Sequence, residues 1–137
     1  MDLELIVAPL NDPADIDGAY AGLAQSPGGG ASVMPSVFTA RHRERIVAQA
    51  ERHRIPTVYP LTHFVETGGL LSYGIDYAEQ FKRAASYADR ILKGAKPADL
   101  PVEQPVKFEL TINRKTAAAL GLTIPLALQV AADRLIE

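Results

Sequence analysis

Polar and aromatic side chains recur where the short apolar runs of this chain end. Asn11 follows Pro9-Leu10, Ser36 and Phe38 follow Pro35, and Tyr59 and Thr62 flank Pro60-Leu61. In an open α/β sheet, ligands sit beyond the carboxyl ends of the strands. Asn11, Ser36, Phe38, Tyr59 and Thr62 are therefore the expected lining of a small-molecule site. A hydroxyl there would orient a solute by hydrogen bonding, and a ring would stack on it. The competing reading of Phe38 and Tyr59 is that they close the core, where buried aromatics are common.

Other constellations carry less chemistry. His42, His53 and His63 are spaced by 11 and 10 residues, which matches no compact metal-ligand motif. They read as surface histidines, and no metal is expected. The Arg41-His42-Arg43 and Arg52-His53-Arg54 clusters are interrupted by Glu44 and Glu51, the pattern of a solvated helix face rather than a phosphate or RNA site. Gly28-Gly29-Gly30 precedes a strand, not a helix, and lacks the Gly-Lys-Ser/Thr of a phosphate loop. Asp12, Asp15 and Asp17 fall at the start of a helix, where acids complement the dipole. No nucleophile, base and orienting group stand at an interpretable spacing. The chain is not expected to be an enzyme or to carry a cofactor.

The composition is that of a globular domain. The 137 residues suit one domain with its own core, and 47% are hydrophobic and 22% charged. A net charge of −2 from 14 basic and 16 acidic residues gives no electrostatic footprint for nucleic acid or an anionic membrane. The absence of cysteine excludes disulfides and thiolate sites and leaves the redox compartment open. No apolar run approaches the roughly 20 residues of a membrane span. Met1-Asp2-Leu3-Glu4 lacks the basic start and apolar core of a signal peptide.

These residues must be positioned by a βα rhythm. Leu3 to Ala8 reads as a buried strand, and Asp12 and Pro13 open a helix reaching about Gln25 with Ile16, Tyr20 and Leu23 on one face. After the Ser26–Gly30 loop, a strand runs from Ala31 to Met34. Thr39 is placed to cap a helix to about Arg54 that turns Ile46, Val47 and Ala50 inward. Ile55 to Tyr59 is the next strand, and Leu61 to Glu66 a single turn or loop. This βαβαβ order implies a parallel sheet in three layers.

Gly69 to Tyr73 then forms a strand, and Tyr77 to Leu92 is the strongest amphipathic helix, with Phe81, Ala84, Ala85, Ala88, Ile91 and Leu92 at helical spacing. Lys93-Gly94 ends it. Pro97, Pro101 and Pro105 extend the linker that follows. Lys107 to Ile112 alternates like a half-buried edge strand. Asn113 caps a short helix ending at Gly121, and a last helix spans about Pro125 to Ile136. So long a connection between helix and strand is unusual in a compact βα repeat, and suggests a crossing between lobes.

From Gly68 onward the chain resembles the C-terminal part of the ABC-transporter substrate-binding protein family, with its type I periplasmic-binding fold. The resemblance rests on Gly68-Gly69-Leu70-Leu71-Ser72-Tyr73-Gly74, Tyr87-Ala88-Asp89-Arg90-Ile91-Leu92-Lys93-Gly94, Lys96-Pro97-Ala98-Asp99-Leu100-Pro101-Val102-Glu103-Gln104-Pro105 and Lys107-Phe108-Glu109-Leu110. It closes on Asn113-Arg114-Lys115-Thr116-Ala117 and Ala119-Leu120-Gly121-Leu122-Thr123-Ile124-Pro125. Residues 3–59 share the βα rhythm and the Arg52-His53-Arg54-Ile55-Pro56 run.

In that family two α/β lobes close on a solute and present it to a membrane permease. The resemblance implies an incomplete, mostly parallel, doubly wound sheet in a single α/β domain. Residues 1–67 form most of a second lobe, 68–104 the crossover and 105–137 the return. It implies binding of a small-molecule solute, an amino acid or similar, with Gly68, Gly69, Pro101 and Pro105 as hinge positions. It also implies a permease partner and a periplasmic setting, or a cytoplasmic one if this chain is the complete gene product.

The first lobe and the opening strand and helix of the second have no counterpart. The open strand edges this leaves predict a homo-oligomer in which Gly69–Tyr73 or the 77–92 helix docks on a partner. Two other readings remain: a non-binding truncated paralogue acting as an oligomeric structural module, and a flavodoxin-like regulatory or enzymatic domain.

Overall fold

The computed structural model describes residues 4–26 and 28–137. Its elements in order are α1 (Pro13–Leu23), β1 (Ala31–Ser32), α2 (Val37–Arg41), α3 (Arg43–Arg52), β2 (Thr57–Tyr59), α4 (Thr62–Glu66), β3 (Leu71–Ile75), α5 (Tyr77–Leu92), β4 (Phe108–Asn113), α6 (Arg114–Leu120), α7 (Leu126–Ala131) and β5 (Arg134–Ile136). The strands form one sheet in the order β1-β2-β3-β4-β5, parallel throughout except between β3 and β4. The α/β class and mostly parallel sheet are as expected.

Both crossovers, β1 to β2 and β2 to β3, step in the same direction. Right-handed connections therefore put α2, α3 and α4 on one face. That face holds the core: Ile16 and Tyr20 of α1, Ile46, Val47 and Ala50 of α3, Tyr59 of β2 and Phe64 of α4. The side-chain rows follow the register. Tyr59, Ser72, Thr111 and Arg134 share this face, while Val58, Leu71, Ile112 and Leu135 share the other. The second face is partly open. Val58 and Leu135 are about 40% exposed there, and the rings of Tyr73 and Phe108 stack on it at 5.5 Å.

Local chemistry explains the boundaries. Asp12 accepts from the Ala14 N–H, Asp15 reaches back to the Asp12 N–H, and Pro13 takes the first helical position. Asn113 caps α6, which ends at Gly121 with a left-handed φ of 74°. Tyr77 to Leu92 is helical over its whole expected length. Gly69 is required by packing: a Cβ there would lie 2.6 Å from Cε2 of Tyr59, whose ring stacks on Phe64 at 5.1 Å.

The structure corrects five expectations. The run from Leu3 to Ala8 was expected as a buried strand; Leu3 lies outside the described residues, and Glu4 to Ala8 form no strand. Leu5, Ile6 and Val7 are 89%, 69% and 79% exposed, because β1 ends the sheet and no strand lies between it and this run. Without a ladder partner, β-propensity alone does not hold a strand. Thr39 does not open a helix to Arg54; Ser36 caps α2, Thr39 completes the capping box as its third residue, and the helix breaks at His42 before α3. Lys107 to Ile112 does not lie at the sheet edge, because β5 covers the far side of β4.

The last helix stops at Ala131, and Arg134–Ile136 forms β5 instead. The helix α5 keeps its apolar stripe exposed and buries none of its residues. The first strand is also shorter than the Ala31–Met34 expected, although the Val33 N–H still donates to the Val58 carbonyl at 2.9 Å.

Glycine positions give a test of this packing. Gly69→Ala should destabilise the chain by about 1–3 kcal/mol, the usual cost of overpacking. Gly22→Ala, in an open stretch of α1, should stabilise it by up to ~1 kcal/mol. Urea unfolding of the two variants checks both signs.

Candidate functional site

The carboxyl ends of β2 and β3 open on a cleft of about 270 Å³. Pro60, Leu61 and Thr62 leave β2 along one wall, and Gly74 to Ala78 leave β3 along the other. Ser72, Glu109 and Arg134 come from the strands below, while His63 and Glu66 come from α4. Glycine at position 74 lets the two walls approach, since a Cβ there would run into the Pro60 carbonyl.

Asp76 fixes the β3 wall. Its backbone N–H donates to the Lys107 carbonyl at 3.0 Å, and its carboxylate accepts from Lys107 Nζ at 2.8 Å and from the Glu79 N–H at 3.1 Å. The first contact extends the β3–β4 pairing, the second spans it, and the third caps α5. The Lys107 ammonium, and then the helix N–H, hold the Asp76 carboxyl below its ordinary value of 3.8, and the same pair raises Lys107.

The base of the cleft carries hydroxyls. Ser72 and Thr111 are opposite each other in the ladder and essentially buried, and Thr111 Oγ1 lies 3.4 Å from Thr62 Oγ1. Among the described residues, the Ser72 hydroxyl has no hydrogen-bond partner. A buried polar group left unpaired costs about 1–3 kcal/mol. Around these hydroxyls stand charged groups of both signs. Glu66 is paired with Arg134 at 2.9 Å, whereas among the described residues the Glu109 carboxylate has only a long 3.5 Å contact with the Thr111 hydroxyl. The arrangement offers hydroxyls, a weakly engaged carboxylate and a guanidinium to a small polar molecule. Among the described residues, no group of three or more His, Asp or Glu is placed to hold a metal ion.

Of the residues proposed from sequence, Thr62 lines this cleft. Tyr59 lies in the core, 1% exposed, with its hydroxyl kept protonated by burial. Asn11 precedes α1, where its N–H donates to Asp15, and Ser36 is the cap of α2. Phe38 packs its ring on His42 at 4.5 Å and borders the core.

The hinge positions are ordered by specific contacts. Gly68 has a φ of 114° and its carbonyl accepts from Thr116 Oγ1 at 2.9 Å; Gly69 lies against Tyr59; the Pro101 carbonyl accepts from the Tyr87 hydroxyl at 2.7 Å. Pro105 is exposed in the extended linker. Sequence reasoning missed Ser72, Gly74, Asp76 and Glu109. The signal for Asp76 was available, since it follows the carboxyl end of β3, whereas Ser72, Gly74 and Glu109 lie within strands.

Comparison with known proteins places these features. The family model described as "ABC transporter substrate binding protein" matches residues 1–136. No curated protein matches the chain. A solved conserved domain protein from Vibrio cholerae is 28% identical, with a TM-score of 0.78, over 90% of this chain and 41% of its own. An ABC domain in complex with L-Trp from Streptococcus pneumoniae is 28% identical, with a TM-score of 0.80, over 93% of this chain and 44% of its own. A ligand-free, open substrate-binding protein with adhesive properties from Clostridium difficile, 20% identical with a TM-score of 0.65, shares the fold. The chain thus spans less than half the length of these solved structures.

The Asp76 clamp has a pH signature. Because its folded carboxyl is lowered, its contribution to stability is complete above the ordinary value of 3.8 and is lost as pH falls through the folded value. Asp76→Asn should flatten the acid limb of the stability profile and fray the start of α5. Denaturation midpoints measured from pH 2 to 7 check this.

Proposed function

The chain belongs to the ABC transporter substrate-binding protein family, and on that premise we propose that it is the solute-binding component of an ABC importer, taking an amino acid or a similar small molecule at the β2–β3 cleft. Binding is non-covalent, with no chemical step. The observation that carries this reading is the buried Ser72 hydroxyl, unpartnered among the described residues, beside the weakly engaged Glu109 and the Arg134 guanidinium. A molecule bearing both an ammonium and a carboxylate complements groups of both signs and supplies the missing hydrogen bond. The L-Trp complex of the Streptococcus relative agrees with that class of solute. Presentation to a permease outside the cytoplasm, lobe closure about Gly68, Gly69, Pro101 and Pro105, and association into a homo-oligomer complete the proposal.

A thermal-shift panel of amino acids, sugars, purines and small carboxylates tests it. A ligand at a hundredfold excess over its dissociation constant stabilises by about 2.7 kcal/mol, a readable shift. The expected result is a selective, dose-dependent shift with amino acids. Ser72→Ala separates binding from folding. It removes an unpaired group, so the free variant should melt at the same temperature or higher. It should lose most of the amino-acid shift. A cooperative melt that no compound moves would contradict the proposal.

A further inference from the structure

The charges of the β2–β3 cleft do not cancel. Its ionisable lining is His63, Glu66, Asp76, Glu109 and Arg134. Two of the carboxylates are matched, Glu66 by Arg134 at 2.9 Å and Asp76 by Lys107 at 2.8 Å. Among the described residues Glu109 has no cationic partner, and its contact is the long one to the Thr111 hydroxyl. Its partner across the ladder is Gly74, which has no side chain to pair with it. With histidine counted as neutral at pH 7, the cleft carries one uncompensated negative charge.

The groups around it suit a cationic guest. Ser72 is 1% exposed and lines the cleft, with its hydroxyl unpartnered among the described residues. A hydroxyl accepts as well as donates, so it serves an ammonium N–H directly. Arg134 engages Glu66 through Nη1, and a guanidinium has further N–H groups with which to hold a carboxylate. The volume of about 270 Å³ lies just below the roughly 300–1,000 Å³ of drug-sized sites, the scale of one small solute.

We propose that the cleft selects a solute with one net positive charge, a basic amino acid, and that Glu109 determines this choice by pairing with the side-chain ammonium or guanidinium. The proposal rests on the reading of the cleft as an amino-acid site. A neutral amino acid brings no net charge and leaves the Glu109 carboxylate unmatched. An acidic one adds a second negative charge, and like charges close together in a partly desolvated site disfavour one another. A basic one supplies a carboxylate for Arg134, one cation for the hydroxyls at the base and a second for Glu109. Glu109 is half-buried, so solvent and salt screen its charge less than they would at an open surface. Selection then comes from attraction of the right solute and repulsion of the wrong one by a single residue.

Isothermal titration of the whole protein with L-lysine and L-norleucine tests this, since the two differ only by the side-chain ammonium. The wild type should bind lysine at least about tenfold tighter than norleucine, the usual worth of a charged hydrogen bond, and L-glutamate most weakly. Glu109→Gln keeps the side-chain length and should bring the lysine and norleucine affinities together, with little change for norleucine. Glu44→Gln removes the same charge from an exposed position on α3 and should leave the wild-type ratio as it is. The affinities of wild type and Glu109→Gln for the two amino acids form a closed cycle. They isolate the coupling of Glu109 to the ammonium whatever else faces the cleft. Equal wild-type affinities, or a ratio that Glu109→Gln leaves unchanged, overturn the proposal while the amino-acid reading stands. Binding of no amino acid at all overturns that reading and this proposal with it.

Discussion

The antiparallel pairing of β3 with β4 is the constraint on which the rest depends. It is the longest ladder in the sheet, running from Leu71↔Ile112 to Ile75↔Phe108, and it joins segments separated by the whole of α5 and its linker. The parallel strand β2 leans on its one side and β5 on the other. Asp76 and Lys107 extend it past the last strand residue by a backbone hydrogen bond and an ion pair. Chain that leaves the sheet at residue 76 is thereby returned at residue 107. α5 and the linker become an excursion from a closed ladder, free to pack elsewhere while the sheet stays intact.

The same ladder builds the cleft. Ser72, Gly74 and Glu109 are ladder residues whose side-chain positions on one face are dictated by register. A one-residue slip would carry all of them to the opposite face. Gly74 admits the Pro60 carbonyl, so the walls can stand close, and Thr111 and Ser72 bring two buried hydroxyls side by side. The Ser72 hydroxyl, unpaired among the described residues, is a local cost of the kind a sequence carries where it departs from its own folding rules.

Much of this fold was legible in the residues. Helices with strong caps or sharp ends were placed well: Asp12-Pro13 for α1, Asn113 and Gly121 for α6, and the long α5. What failed were features set by distant chain. Leu5-Ile6-Val7 has every local mark of a buried strand, yet a strand exists only where another strand offers hydrogen bonds. Arg134–Ile136 has weak local marks and becomes β5 because β4 presents an open edge to it. The same limit governed the site. Tyr59 followed a correct rule about strand ends, but side-chain alternation turned its ring into the core. Ser72 and Glu109 lie within strands, where no end signal points to them, and only the register brings them to the cleft.

Amide chemical-shift mapping of the isotope-labelled chain during titration with an amino acid tests the central claim most directly, because it locates binding. This account predicts shifts concentrated at Leu61, Thr62, Ser72, Gly74, Asp76 and Glu109, along both walls and the base of the β2–β3 cleft. Shifts confined to Asn11, Ser36 and Phe38, or no shifts at millimolar amino acid, would contradict it.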